Sequence, residues 1–311
     1  MAFTSQLNPK RVVLVSCIDR GGTLLAPSGR LAGVGFAVCA MISAQLGAVM
    51  SVPLMVSEGS FRISALRLLC AAAISVLFIR PNLRSFSRQQ WQAAVALGIA
   101  MSLMVMCYFT AVSMIPTGPA TSILFLGPIG VAVCSIRGPW RIALPGLAAV
   151  GVVAISVNTE GWLFSPIGAL FALGGAAGWA AYIVLMRRIG ELFSAQDGLC
   201  LSLVVAAAIA VPASYLLEPT GEWLANFAAI AGLALLAPLI PFVLEMMALR
   251  RIEMGTFSVL MSLEPAVGML LGFAILQQRI SSQQLAGILA VIGASVGAVL
   301  VSSKASQRIS V

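Results

Sequence analysis

Three ionisable side chains sit inside long apolar stretches of this sequence: Arg67 in Ser64-Ala-Leu-Arg67-Leu-Leu, Glu245 in Pro241-Phe-Val-Leu-Glu245-Met, and Glu264 in Ser262-Leu-Glu264-Pro265. At the centre of a bilayer each costs about 2.5–3.5 kcal/mol on insertion scales, so each is expected to face a protein interior or a water-filled cavity. Glu264 is the leading site residue. It can attract a substrate ammonium or carry a coupling proton, because burial favours the neutral form of a carboxyl group. It can also be a structural partner for Arg67 or for free backbone groups. Glu245 can snorkel, pair with Arg250 or Arg251, or act as an anion at the cytoplasmic gate. Arg67 can bind a substrate carboxylate, or form an ion pair with Glu58 or with an intramembrane glutamate.

Neutral polar groups extend this set. Ser43, Gln45, Thr121, Ser122 and Ser262 fall in the middle of apolar stretches. Trp179 and Tyr182 are three residues apart and share one helical face, where they can stack on a substrate, form a gate or simply pack. The chain has no histidine, which excludes a Ser-His-Asp triad, a His-ligated zinc and an HExxH site. Its six cysteines form no CxxC pair and are read as small buried apolar residues rather than disulfides or metal ligands. No cofactor or metal is expected.

The elements that must position these groups are membrane helices. Of 311 residues, 60% are hydrophobic and 9% charged, and mean hydropathy is +1.04. A soluble globule cannot bury that much apolar surface, disorder requires the opposite composition, and barrel strands give a weaker apolar signal. An all-α polytopic protein remains, with ten candidate spans near 31–52, 60–79, 91–112, 117–136, 140–157, 166–186, 197–216, 223–248, 255–275 and 283–302. Residues 1–30 read as a cytoplasmic tail, since the run Val12–Ile18 is too short for a signal peptide, and 304–311 as a second cytoplasmic tail. With both termini cytoplasmic, 15 of the 18 Lys and Arg residues fall on that side, Arg62 and Arg279 fall on the far side, and Arg67 lies within a span. The net charge of +8 is thereby a topology signal met by anionic lipid, and nucleic acid is not needed as a partner. Trp91, Trp140, Trp162 and Trp223 near span ends fit an interfacial belt.

The two halves of the chain resemble each other. Ala111-Val-Ser-Met-Ile115-Pro-Thr-Gly118 and Leu126-Gly127-Pro128 recur 137 positions later as Ala248-Leu-Arg-Arg-Ile252-Glu-Met-Gly255 and Leu263-Glu264-Pro265. Gly33, Phe36 and Ala37 match Gly168, Phe171 and Ala172 at an offset of 135. Five spans per copy is an odd number, so the copies are inverted, as in alternating-access transporters with a midplane site. The repeats are placed at 31–158 and 166–303. Pro128 and Pro265 sit at equivalent mid-span positions and are expected to kink their helices and free carbonyls near Leu124 and Met261. Glycines of the fifth and tenth spans (Gly146, Gly151, Gly287, Gly293, Gly297) suit either a homodimer or internal packing.

At Ile115-Pro-Thr-Gly-Pro-Ala, Leu126-Gly-Pro128, Trp179-Ala-Ala-Tyr182, Pro241-Phe-Val-Leu-Glu245-Met-Met-Ala-Leu and Thr256-Phe-Ser-Val-Leu-Met261-Ser-Leu-Glu264-Pro265 the sequence resembles the EamA-type branch of the drug/metabolite transporter superfamily. Within it, the threonine/homoserine exporters of bacterial inner membranes are most similar. The resemblance covers about residues 31–303. It implies a central cavity between the repeats and export of amino acids or related small molecules, driven by proton exchange. Gln277-Gln278 stand where relatives carry Gly-Glu, and Val105 and Leu124 stand where the exporters carry Asn and Glu. Those two apolar residues leave open a less polar cargo such as a lipophilic drug. A membrane-embedded enzyme is the remote alternative, since Glu245 and Glu264 are the only intramembrane acids available to it.

Overall fold

A computed structural model describes residues 27–112, 114–115, 117–136, 138, 140–156, 165–193, 196–218, 226–276 and 281–307. The described residues are almost entirely helical: α1 (Pro27–Glu58), α2 (Ser60–Ile79), a 3-10 turn at Leu83–Ser85, α3 (Arg88–Val112), α4 (Thr117–Leu124), α5 (Leu126–Ser135), α6 (Trp140–Ser156), α7 (Pro166–Leu192), α8 (Asp197–Leu217), α9 (Phe227–Ala234), α10 (Ile240–Leu249), α11 (Met254–Met261), α12 (Glu264–Leu276) and α13 (Ser282–Gln307). A π-type turn at Leu235–Leu239 joins α9 to α10. The expected tail run Val12–Ile18, Cys17, Trp162, Trp223, Arg279 and Gln277-Gln278 lie outside the described residues.

These helices fall on the apolar stretches of the sequence. Six runs are long and apolar enough to cross a bilayer uninterrupted: Gly29–Ser51, Ser60–Ile79, Arg88–Val112, Pro166–Leu192, Asp197–Leu217 and Phe227–Leu249. Ala120–Ser135, Trp140–Ala154 and Ser282–Ala298 are apolar but shorter. The chain is all-helical because hydrocarbon offers backbone groups no partner, and a helix satisfies them within one segment. Its outer surface is apolar: Phe78 is 79% exposed, Leu216 84% and Ile142 73%. Contiguous surface of this kind is a liability in water and ordinary against lipid. Trp91 and Trp140 are exposed at helix starts.

Two helices break at positions 137 residues apart. A turn at Phe125 separates α4 from α5, three residues before Pro128, and a turn at Ser262–Leu263 separates α11 from α12, just before Pro265. A proline ring denies the ladder a donor and crowds the carbonyl four residues back, so the breaks lie in the turn preceding each ring. The π-type turn is a third break, where Ala237 takes a non-helical φ of −157° and ψ of 116°.

Helices approach closely where glycine removes the side chain, the usual basis of packing in lipid. α3 lies along α7, α2 against α8, α1 along α10, α6 against α13 and α5 against α11. A Cβ on Gly178 would lie 2.8 Å from the Met104 amide nitrogen, so α3 and α7 touch backbone to backbone there. A Cβ on Gly33 would lie 2.8 Å from Ile252 Cγ2, and one on Gly168 would lie 2.8 Å from Ile115 Cγ2. The offsets pair Gly33 with Gly168 and Ile115 with Ile252, so these two contacts are counterparts of each other. Gly151 packs on Val291 and the Gly287 carbonyl, and Gly297 packs on Leu144, so α6 and α13 use most of their glycines against each other. Gly146 has no neighbour within 4 Å. Cys70 and Cys200 are buried, whereas Cys39 and Cys134 are exposed, which corrects the uniform reading of cysteines as buried; all five described cysteines are free.

Replacing Gly178 with valine forces α3 and α7 apart and is expected to cost about 1–3 kcal/mol, as overpacking does. Gly146→Ala meets open space and is expected to leave stability unchanged or slightly higher. Thermal unfolding of both variants in detergent, read beside the wild type, checks the contrast.

Candidate functional site

α1 presents two polar faces. Ser43, Gly47 and Ser51 recur every four residues, and Gln45 points elsewhere. Ser43 donates to the Leu236 carbonyl at 2.7 Å. A Cβ on Gly47 would meet that of Ala237 at 2.8 Å. Ser51 donates to the Gly47 carbonyl within its own helix. This face is therefore seated on the broken segment between α9 and α10.

Arg67, from α2, completes the same arrangement. Its Nε donates to the Ala237 carbonyl at 2.8 Å and its Nη1 donates to Ser51 Oγ at 3.1 Å. The non-helical turn at Ala237 releases that carbonyl from the helix ladder, and the guanidinium supplies the missing donor. This replaces the expected pairing of Arg67 with Glu58 or an intramembrane glutamate. Glu58 instead lies 3.8 Å from Arg62, whose backbone amide donates to the Glu218 carboxylate at 2.9 Å.

The other face of α1 meets α12. Gln45 Nε2 donates to Glu264 Oε1 at 3.0 Å. Gly268, one turn beyond Glu264, makes room for the amide, since a Cβ there would lie 2.5 Å from Gln45 Oε1. Glu264 and Gln45 are both half-buried. In the other half of the chain the equivalent of Glu264 is Gly127, pressed so closely onto the Ala176 carbonyl and the Ala180 amide that no side chain fits. By the offset of 135, Ala180 is the equivalent of Gln45. The two halves thus make the same helix contact, with a polar pair in one and bare backbone in the other.

Tyr182 and Glu245 form a second polar pair, between α7 and α10. The Tyr182 hydroxyl donates to Glu245 Oε2 at 2.6 Å. Tyr182 packs beside Phe242 with ring centroids 5.3 Å apart, and Trp179 meets Phe125 edge-on at 4.7 Å. Both Trp179 and Tyr182 are buried. Glu245 does not snorkel and does not pair with its neighbouring arginines. Arg250 donates to the Phe193 carbonyl, while Arg251 donates to the Met247 carbonyl and lies 4.9 Å from the Phe36 ring centroid.

Thr121 bonds Tyr108 at 3.1 Å, and Tyr108 lies within electrostatic reach of Glu264. Tyr108 escaped sequence reasoning, although at the offset of 137 it is the equivalent of Glu245. Glu264 in turn acts electrostatically on both Glu245 and Tyr182. The hydroxyls of Ser122 and Ser262 are buried and without a hydrogen-bond partner among the described residues. Leu124 packs on Gly175.

The structure therefore pairs Gln45 with Glu264, Tyr108 with Thr121 and Tyr182 with Glu245, and leaves Ser43 and Arg67 on the braced helix break. Among the described residues the salt bridges are Glu58–Arg62 and Arg187–Glu191, so neither intramembrane carboxylate has a basic partner. Each is held by one neutral donor. No group of three or more potential metal ligands occurs among the described residues.

Three comparisons bear on this arrangement. The profile of the EamA-like transporter family matches residues 166–300. The chain is 31% identical over 284 residues to the threonine/homoserine exporter RhtA of Escherichia coli (strain K12), covering 86% of this chain and 91% of that one. It is 30% identical over 275 residues to RhtA of Salmonella typhimurium (strain LT2), covering 84% and 89%. A protein of known crystal structure, 18% identical, superposes with a TM-score of 0.73 over 88% of this chain and 99% of its own, a likeness of fold.

Arg67→Met leaves the Ala237 carbonyl and the Ser51 hydroxyl without their donor. It is expected to cost about 1.5–3 kcal/mol, the range for a hydrogen bond to a charged group. Arg67→Lys is expected to recover part of the loss. Melting temperatures of the two variants in detergent check the order.

Proposed function

The chain belongs to the EamA-like transporter family, and from that premise we propose that it exports amino acids of the threonine and homoserine kind, or closely related metabolites, across a bacterial inner membrane. The observation that carries this reading is Glu264: a carboxylate on a membrane helix, half-buried, held by the neutral amide of Gln45 and bonded by no basic residue. Such a group lacks one thing, a cation, and a substrate ammonium supplies it. Both members of an ion pair are then desolvated together, which repays part of the cost of burying either alone.

Gln45, Tyr108 and Thr121 offer hydrogen bonds around that ammonium, and the unsatisfied hydroxyls of Ser122 and Ser262 offer two more to the polar end of the cargo. A buried hydroxyl with no partner is costly until one arrives. The protein transforms nothing; its work is to expose this site to one side and then to the other. Inverted repeats over 31–158 and 166–303 provide the means, with both termini in the cytoplasm and a proton moving against the cargo. The Gly33–Ile252 and Gly168–Ile115 contacts support that reading, because an inverted repeat carries each closure of one end to the opposite end. The cytoplasmic end would be the one where Arg250 meets Phe193, Arg187 meets the Ile252 carbonyl and Gln90 meets the Leu192 carbonyl.

Glu264→Gln keeps the shape of the side chain and removes its charge. It is expected to abolish threonine efflux from proteoliposomes while the protein remains monodisperse and helical. Full efflux by this variant removes Glu264 from the mechanism.

A further inference from the structure

Away from the polar pairs, α2 and α8 enclose an apolar groove of about 710 Å³ on the outer surface. Ala72 and Ala207 are buried and form its floor, while Leu69, Leu77, Val204 and Ala208 stand exposed along its walls. The Glu218 carboxylate, just beyond the end of α8, accepts from the Phe61 and Arg62 amides at the start of α2, so the two helices run antiparallel. On α2 the groove extends from Leu69 to Leu77, about 12 Å at 1.5 Å per residue. One leaflet of the hydrocarbon core is about 15 Å deep.

The end of the groove toward the C-terminus of α2 is basic. Arg80 caps α2 in the left-handed conformation, with φ 49° and ψ 62°. Its Nε donates at 3.1 Å to the carbonyl of Leu77, a residue of the groove wall, so the exposed guanidinium folds back beside the groove. Among the described residues Arg80 forms no ion pair. Arg84 and Arg88 follow at four-residue intervals, and the sequence carries no acidic residue between Glu58 and Glu160. Trp91, exposed at the start of α3, fits a membrane–water interface at this level.

We infer that the groove and Arg80 form a binding site for one anionic phospholipid, with an acyl chain lying between α2 and α8 and the phosphate on the Arg80 guanidinium. An apolar channel of leaflet depth that ends on a guanidinium matches the two parts of such a lipid. The chain gains dispersion contacts along the floor and walls, and the guanidinium presents a fork of N–H donors to the phosphate oxygens. A second copy of this chain matches the groove less well. A two-fold axis along the membrane normal would set two loops bearing Arg80, Arg84 and Arg88 side by side at one depth, and like charges repel. The loop lies on the side proposed above as cytoplasmic, where anionic headgroups attract basic segments. No step of cargo handling passes through this site, so it stands or falls apart from the export reading.

The test is native mass spectrometry of the purified protein in mild detergent, with phosphatidylglycerol or phosphatidylcholine of identical chains. Wild-type protein is expected to hold one phosphatidylglycerol about tenfold more tightly than phosphatidylcholine, the equivalent of one hydrogen bond to a charged group. Arg80→Asn removes the charge with a residue that tolerates the left-handed turn, and is expected to erase the preference. Ala208→Phe fills the groove and is expected to weaken phosphatidylglycerol binding to a similar extent. Equal retention of the two lipids by the wild type overturns the inference, and so does a preference that survives Arg80→Asn. Binding that is lost in Arg80→Asn and intact in Ala208→Phe reduces the site to a headgroup contact and overturns the groove. A wild-type dimer that holds no lipid and that Ala208→Phe separates gives the groove to a second copy and overturns the inference as well.

Discussion

Inside a bilayer a charged or polar group has no water to turn to, and each one that a helix carries inward must be met by something else on the protein. Glu264 is met by Gln45 and Glu245 by Tyr182. The Ala237 carbonyl, freed by a break in its helix, is met by Arg67. Each of these contacts ties together helices far apart in the chain, and together they place every intramembrane charge of the described residues. Among the described residues, two carboxylates lack a cation and two serine hydroxyls lack a hydrogen-bond partner.

The contacts require close helices, and glycine supplies the closeness. Where Gly178 meets Met104 the approach is backbone to backbone, and the same logic sets Gly33 on Ile252 and Gly168 on Ile115. The two matching helix contacts differ at two positions, Gly127 against Glu264 and Ala180 against Gln45. At Gly127 the helix contact is too tight for any side chain, and at its equivalent a glutamate faces a glutamine. The two matching contacts thus differ in one charge, that of Glu264.

Much of the fold was legible in the sequence because apolar runs of membrane length leave little choice of structure. The breaks at Phe125 and Ser262 were legible through Pro128 and Pro265, and Glu264 through its charge. The partners were not. Gln45 lies 219 residues from Glu264 and Tyr182 lies 63 from Glu245, separations that no local periodicity reports. The observed partner of Arg67 was hidden because it is a backbone carbonyl that exists as a free acceptor only once the helix breaks at Ala237. Pro238 was the available signal for that break, and it passed unused since the eighth stretch reads as one apolar run. Tyr108 was missed because a tyrosine in an apolar helix reads as packing until the repeat aligns it with Glu245.

The most direct test of the proposed export is efflux of preloaded labelled threonine from proteoliposomes of the wild-type protein, with and without an imposed proton gradient. The account predicts efflux above that of protein-free vesicles, accelerated when protons are driven opposite to the cargo. Folded protein that releases threonine no faster than empty vesicles, under either condition, would contradict it.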